Sequence, residues 1–444
     1  MVGLLLNTVY AAFGLAISWL VLFRIVLHKR YRTGWAQRMG FAPVNVHLQP
    51  VIWVHGVSLG EINAARSLVN EIHSQLPDYR VVVSSTTDTG MTKAMDLFSP
   101  DHKVFFWPLD LTFFVKRALD RIKPELVVLM EGEYWPNFLS QCRKRGIRTA
   151  VVNGRLSPTK GYPRYRMLGR LARKLIFDKL DAVGAQNDQY AELFEKLGVD
   201  PRRISVTGML KYDTAGDAHS VAGAEELGRV LGVDNQKVFV AGGTGKGEEK
   251  IVLDAWNAIS ARHGDARLVI VPRKPERFEE VARLIRSSGY ELVRRSEHPD
   301  AGAVVESRVA VILGDTMGEL RKFYSLATCI FVGRSLVKAG GSDMIEAGAL
   351  GRAVCFGPHT FNFPQARDLE RNGCLRVADG EELANGIIEW LSDPDSARAA
   401  GQQAREYILG QRGATVRNVE MICRLLGREP AAAPGAIATE ALEN

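Results

Sequence analysis

Cysteine is scarce in this chain and unpatterned. Five occur in 444 residues, Cys142, Cys329, Cys355, Cys374 and Cys423, scattered and with no CxxC. An odd, dispersed set argues against a disulfide framework or a structural zinc site and suits a reducing compartment. A GxxxxGK[ST] loop is also missing. The glycine-rich stretch Gly242–Glu249 imitates one, but Lys246 is followed by Gly247, which argues against a nucleoside triphosphatase. No internal repeat of short period occurs. Charge is only mildly one-sided, 57 Lys and Arg against 50 Asp and Glu, net +7. That excess suits an anionic partner (phosphate, a lipid surface or nucleic acid) without choosing among them.

Formal charge is absent from Val2 to Phe23, a run of about 22 residues that is long enough to cross a bilayer. Arg24, His28, Lys29, Arg30, Arg32 and Arg38 follow closely. A cleavable signal would carry its basic residues before the apolar run and a small-residue cleavage site after it. The opposite order predicts a retained anchor over residues 1–27, with the basic side and the bulk of the chain in the cytoplasm. A buried helix of the globular part and a helix lying in the membrane interface are the competing readings.

The rest of the chain is too long for one ordinary domain. From Pro50 to Asp213 apolar runs alternate with helical stretches: Val51–Val54, Val81–Thr87, Lys103–Pro108, Glu125–Met130 and Arg148–Asn153 read as strands, Phe113–Ile122 and Trp135–Arg145 as helices. Such alternation implies βαβ units and a parallel sheet. Ligands bind such sheets at the carboxyl ends of strands, and polar residues gather there: His55–Glu61, Thr86–Gly90, Glu131-Gly-Glu133 and Asn153–Ser157. Glu61 follows a Ser-Leu-Gly turn at a helix start. It is either a first-turn helix residue, favoured there by the helix dipole, or a general base aimed at a ligand. Glu131 and Glu133 leave a buried strand, where unpaired carboxylates are costly, and Arg155 is a partner for them. A basic, aromatic stretch, Lys160 to Lys174, includes Arg164 and Arg166 and fits either a solvated helix face or a dock for an anionic acceptor.

Residues 214–236 read as a linker, and a second alternating series starts at 237. Its strands are Val238–Ala241, Arg267–Val271, Val309–Leu313, one beginning at Cys329, and Ala353–Phe356. Gly340-Gly341 is expected to open a helix, with Ser342 or Asp343 as N-cap, amides offered to a phosphate and Glu346 one turn in to accept ribose hydroxyls. Arg273 ends a strand and is expected to meet the same phosphate. Helices continue to about 428, and residues 429–444 are Ala/Pro-rich and expected to be disordered.

Taken together, WVHGVSLGE, MEGEYWPN, NGRLSP, TGMLKYD, VPRKPERF, GDTMGEL, FVGRSL and FGPHTFNF stand in the order found in the 3-deoxy-D-manno-octulosonic acid (Kdo) transferases, and the chain resembles that family from its N-terminus to about Arg428. The resemblance implies an α/β GT-B fold. Two Rossmann-like domains would face each other across a cleft, an acceptor domain over 28–213 and a CMP-sugar domain over 237–428, behind an N-terminal anchor in the inner membrane. It implies inverting transfer of Kdo from CMP-Kdo to the 6′-hydroxyl of a lipid A precursor, lipid IVA, without metal, cofactor or nucleic acid. By similarity Glu61 is the proton acceptor, and Glu131 and Lys211 stabilise the transition state. Pro272, Arg273, Met317, Gly318, Glu319, Asp343, Met344, Ile345 and Glu346 would hold CMP, and Arg155, Arg164 and Arg166 are acceptor candidates. The chain departs from the family pattern where it has Gly245 and Lys246 for a His-Glu pair, Arg334 for a glycine, and Ser342 and Asp343 for His-Asn, all where the donor should bind. A GT-B nucleotide-sugar 2-epimerase and a catalytically silent lipid A-binding protein are the alternatives.

Overall fold

The structure is a computed structural model that describes residues 8, 33–44, 49–158, 161–215, 221–234, 236–298 and 311–430. Apart from Thr8, the expected anchor lies outside the described residues, as do residues 431–444 of the tail. Among the described residues no helix is long and apolar enough to cross a membrane.

The described residues divide into two compact units, one made of those up to 214 together with 412–430, the other of those from 215 to 411. The first is built on β1 (Val51–Gly56), β2 (Arg80–Ser85), β3 (Lys103–Phe106), β4 (Leu126–Met130), β5 (Arg148–Gly154), β6 (Ala182–Ala185) and β7 (Ile204–Val206). All are parallel, in the order β3-β2-β1-β4-β5-β6-β7. Both faces are covered, which is why β1 and β4 are buried along their whole length rather than alternating. Side-chain parity sorts the strands into two cores. Trp53, Val127, Leu129 and Val151 join Phe105, Trp107 and Phe138 on one face, while Ile52, Val54, Val128 and Met130 meet Ile62, Leu68 and Ile72 on the other.

The second unit has β8 (Lys237–Thr244), β9 (Ala266–Pro272), β10 (Leu292–Arg294), β11 (Val311–Leu313), β12 (Cys329–Val332), β13 (Ala353–Phe356) and β14 (Leu375–Arg376), again all parallel, in the order β10-β11-β9-β8-β12-β13-β14. Each sheet reverses its winding direction once, between β1 and β4 in the first and between β8 and β12 in the second. A crevice opens at such a switch point, beyond the strands' carboxyl ends.

Two domain boundaries differ from the sequence reading. The helix Ala414–Leu426, expected in the second domain, belongs to the first, where Val419, Met421, Ile422 and Cys423 complete the core around Ile52 and Val54. Asp213 fixes this return: its carboxylate accepts from the N–H of Gly413 at 2.7 Å and of Thr415, satisfying amides at the helix start. The expected linker 214–236 contains a helix, Ala224–Val230, whose Ala224, Leu227 and Val230 are buried within the second unit.

Candidate active site

Three carboxylates and two cations gather at the switch point of the first sheet. Glu61 enters from the turn after β1. Ser58 caps the helix Leu59–Gln75, its Oγ accepting from the Glu61 N–H at 3.3 Å. The Glu61 carboxylate reaches back, Oε1 accepting from the Ser58 hydroxyl at 2.8 Å and Oε2 from the Val57 N–H at 2.9 Å. This is close to a capping box, so Glu61 is anchored as a first-turn helix residue. The same anchoring fixes the rotamer of a carboxyl that burial pushes above its ordinary range, against the opposing pull of those hydrogen bonds.

Glu131 enters from β4, the strand next to β1. Its backbone is left-handed, φ 57°, an uncommon state for a residue with a side chain. Burial and the Glu61 charge push its carboxyl up to about 7, while Arg155 and Lys211 pull it down. Glu133, two residues on, is also pushed up to about 7 by burial and by Glu61, with no cation opposing. Both carboxyls are thus raised to the same degree, and what differs is their surroundings: Arg155 and Lys211 act on Glu131, whereas burial and Glu61 account for Glu133. His55, near the end of β1, is not part of this chemistry. It is fully buried, stacked on Trp107 at 3.8 Å and hydrogen-bonded through Nδ1 to Ser84, and burial lowers its pKa to about 3.

Asn153 ties the cluster together. It is the last residue but one of β5, is buried and is also left-handed at φ 54°. Its Nδ2 donates to Glu131 Oε1 at 3.3 Å, and its Oδ1 accepts the Leu210 N–H at 3.1 Å, fixing the chain one residue before Lys211. The sequence reading places Asn153 at a strand end but gives it no role. Its signal is the Asn residue type, which tolerates left-handed backbone and offers a donor and an acceptor at once. Glu133 was likewise seen beside Glu131 without a separate role. Arg164 and Arg166 are exposed on the helix Gly161–Leu168, which buries none of its residues. Tyr165 of that helix packs on Tyr134 and Phe177 and lies within electrostatic reach of Glu133.

In the second unit the phenol of Tyr324 marks the corresponding place. It is fully buried, makes no hydrogen bond among the described residues, and lies within electrostatic reach of Glu346, Asp343, Arg273 and Glu248. Gly242 on β8 permits this approach, since a Cβ there would stand 2.4 Å from the Tyr324 hydroxyl. Three of the expected donor residues, Arg273, Asp343 and Glu346, thus share one locality. Arg273 is exposed just after Pro272, which ends β9, and its N–H donates to the Thr244 carbonyl at the end of β8. Met344 and Ile345 are fully buried, so their side chains build the core. Glu319 is held by Arg295 at 3.0 Å, by Lys322 at 3.2 Å and by Thr316, while Met317 is exposed and Gly318 is left-handed.

The expected phosphate-binding helix start takes a different form. Gly340 and Gly341 are left-handed, but the helix begins only at Ile345 and runs four residues. The Gly341 N–H is already given to the Arg334 carbonyl at 2.7 Å, and Asp343 Oδ1 accepts from Ile345. A dipole argument needs a longer helix and open amides, so the side chains of this stretch carry whatever binding it does.

Among the described residues no group of three or more His, Cys, Asp or Glu side chains is arranged to hold a metal ion.

A family profile described as 3-deoxy-D-manno-octulosonic-acid transferase (kdotransferase) matches residues 33–214. The 3-deoxy-D-manno-octulosonic acid transferase of Haemophilus influenzae is 30% identical over 404 residues, 90% of this chain and 93% of that protein. The transferase of the same name from Bordetella pertussis is 32% identical over 389 residues, 85% of this chain and 87% of the other. Among solved structures, a putative UDP-N-acetylglucosamine 2-epimerase from Listeria monocytogenes superposes with a TM-score of 0.60 at 15% identity, covering 86% of this chain and 100% of that one, a likeness of GT-B-like fold alone.

Proposed function

The chain belongs to the Kdo transferase family, a family of glycosyltransferases, and on that premise we propose that it transfers Kdo from CMP-Kdo to a hydroxyl of a lipid A precursor, with inversion. One observation carries the mechanism: Glu61, Arg155 and Lys211 all lie within electrostatic reach of Glu131, which follows β4 at the switch point of the first sheet. Glu61 takes the proton of the acceptor hydroxyl as its oxygen attacks the anomeric carbon. The carbon–phosphate oxygen bond breaks, and CMP leaves with the electron pair. Positive charge developing on the sugar ring is stabilised by the Glu131 carboxylate. Lys211 and Arg155 offset the repulsion that several carboxylates would impose on an anionic donor. Because CMP departs as a monophosphate, no step requires a divalent ion.

Nucleotide binding falls to the second unit, with Arg273 toward the phosphate and Glu346 toward the ribose. The acceptor is assigned to the helix Gly161–Leu168 and its continuation. Met167 is 82% exposed, and Leu168 and Leu171 are exposed beside Arg164, Arg166 and Arg170. Apolar groups among cations suit an acylated, phosphorylated lipid. The uncharged run Val2–Phe23 followed by basic residues supports attachment to the cytoplasmic face of the inner membrane. Salt washing tests this: full-length protein stays in the membrane fraction, protein lacking residues 1–27 leaves it, and release of the full-length protein by salt alone would remove the anchor.

The test of function is release of CMP from CMP-Kdo that depends on the lipid acceptor. CMP release equally fast without acceptor would leave only donor hydrolysis. Turnover of UDP-N-acetylglucosamine would point instead to the epimerase chemistry that shares the fold.

A further inference from the structure

We propose that Arg334 is a specificity-determining residue that binds the carboxylate of the donor sugar; the inference rests on the Kdo transferase reading. Arg334 follows β12 and Gly245 follows β8, the two strands between which the second sheet reverses. Ligands are held at such a position. Arg334 is left-handed, φ 61°, a conformation that suits glycine and strains arginine. Its backbone is over-determined by a buried carboxylate: Glu248 accepts from the N–H groups of Gly245, Arg334, Ser335 and Leu336. Strain held in place this firmly clusters at ligand-binding sites.

The side chain occupies space that Gly245 leaves open. A Cβ on residue 245 would stand 3.1 Å from Arg334 Cγ, closer than side chains normally pack. Gly245 and Arg334 are therefore coupled in this chain, since a side chain at 245 would crowd that of 334. Arg334 is half-buried, and its guanidinium has one partner among the described residues, the Ala339 carbonyl at 2.9 Å. It makes no ion pair there, so most of its donor fork remains for a ligand.

Position decides which anion. β9 and β12 are the two neighbours of β8. Arg273 after β9 and Arg334 after β12 therefore flank the end of β8, on strands roughly 10 Å apart. The proposed donor carries two anionic groups, the phosphate and the carboxylate of the sugar acid. Two arginines on either side of one strand end match two anions on one ligand, and Arg273 is assigned to the phosphate. A planar fork suits a carboxylate better than a point charge does.

The test compares CMP with CMP-Kdo on the full-length protein in detergent. Arg334→Gly restores the residue its backbone prefers and should fold with an unchanged or higher Tm. Its CMP affinity, by calorimetry, should match wild type, while KM for CMP-Kdo rises by about 10- to 100-fold, the scale of a lost hydrogen bond to a charged group. Arg273→Ala should weaken both ligands. Gly245→Ala, which crowds Arg334, should raise KM for CMP-Kdo alone and add nothing in the Arg334→Gly background. Equal loss of CMP and CMP-Kdo binding in Arg334→Gly would move the contact to the phosphate and overturn the proposal, as would no change in either. Wild-type protein that binds neither ligand would overturn the family chemistry beneath it, which is a separate result.

Discussion

Replacing Glu61 by Gln separates its two roles, helix cap and base. The amide keeps the shape of the side chain. Its oxygen can still accept the Val57 N–H that now donates at 2.9 Å, and its NH₂ can donate to Ser58 Oγ, which now donates to Glu61 at 2.8 Å. What disappears is the negative charge at the start of a 17-residue helix, worth about 0.3–1 kcal/mol. Burial that disfavours the charged carboxyl offsets part of even this loss. The catalytic loss is far larger: a missing general base costs about 10²–10⁴-fold, or roughly 2.7–5.4 kcal/mol of barrier at 1.36 kcal/mol per tenfold. The assay is initial rate of Kdo transfer beside a thermal melt. Expected are a Tm close to wild type and a rate down by at least about 100-fold. Ser58→Ala gives the converse, a stability loss of about 1 kcal/mol from the missing cap with most of the rate kept, because the carboxylate remains. A Glu61→Gln enzyme that turns over within a few-fold of wild type would reduce Glu61 to a cap and refute the reasoning.

Further outcomes follow from the same geometry. Glu131 and Glu133 both rise from 4.5 to about 7 on folding, so their protonated forms are favoured in the folded state; the stability they add is complete below about pH 4.5 and lost as pH climbs to about 7. Glu133→Gln should therefore flatten the decline of Tm across that window, and an unchanged pH profile would place Glu133 in solvent. Asn153→Ala strips the buried Leu210 N–H and the Glu131 carboxylate of a partner each, which should cost about 1–3 kcal/mol in denaturant melts and lower kcat more than KM; wild-type kinetics would show that the cluster assembles without it. Arg277→Met leaves the fully buried Glu249 carboxylate without its 2.6 Å and 2.9 Å hydrogen bonds, and the melt should fall by about 3–5 kcal/mol; a loss under about 1 kcal/mol would mean that Glu249 is hydrated.

How much of this was legible in the sequence depends on the scale of the signal. Long apolar runs such as Val51–Val54 and Leu126–Met130 announced buried parallel strands and led to Glu61 and Glu131. Ala182–Ala185 did not, because four small residues carry no β-branched or aromatic mark beyond Val183; their strand exists because β5 and β7 hold it between them. The return of Ala414–Leu426 to the first unit was also hidden, since what decides it is a capping bond between residues 200 apart in sequence, Asp213 and Gly413. The doubled glycine at 340 and 341 was read as a helix start with open amides; the structure instead makes both left-handed, gives the Gly341 amide to Arg334 and delays a short helix to Ile345. Gly245 and Arg334 were visible as separate oddities; only the packing shows that they are coupled. Glu131, Glu133 and Arg155 were legible together, whereas the action of Arg155 on Glu131 and the approach of Lys211, some 80 residues on, come only from the fold.

Mass spectrometry of the lipid A precursor after incubation with the protein and CMP-Kdo tests the central claim most directly. The account predicts product heavier by one or more whole Kdo residues, one CMP released for each, and, by NMR of that product, the opposite anomeric configuration from the donor. Unmodified lipid alongside consumed CMP-Kdo, or product with the donor's configuration retained, would contradict it.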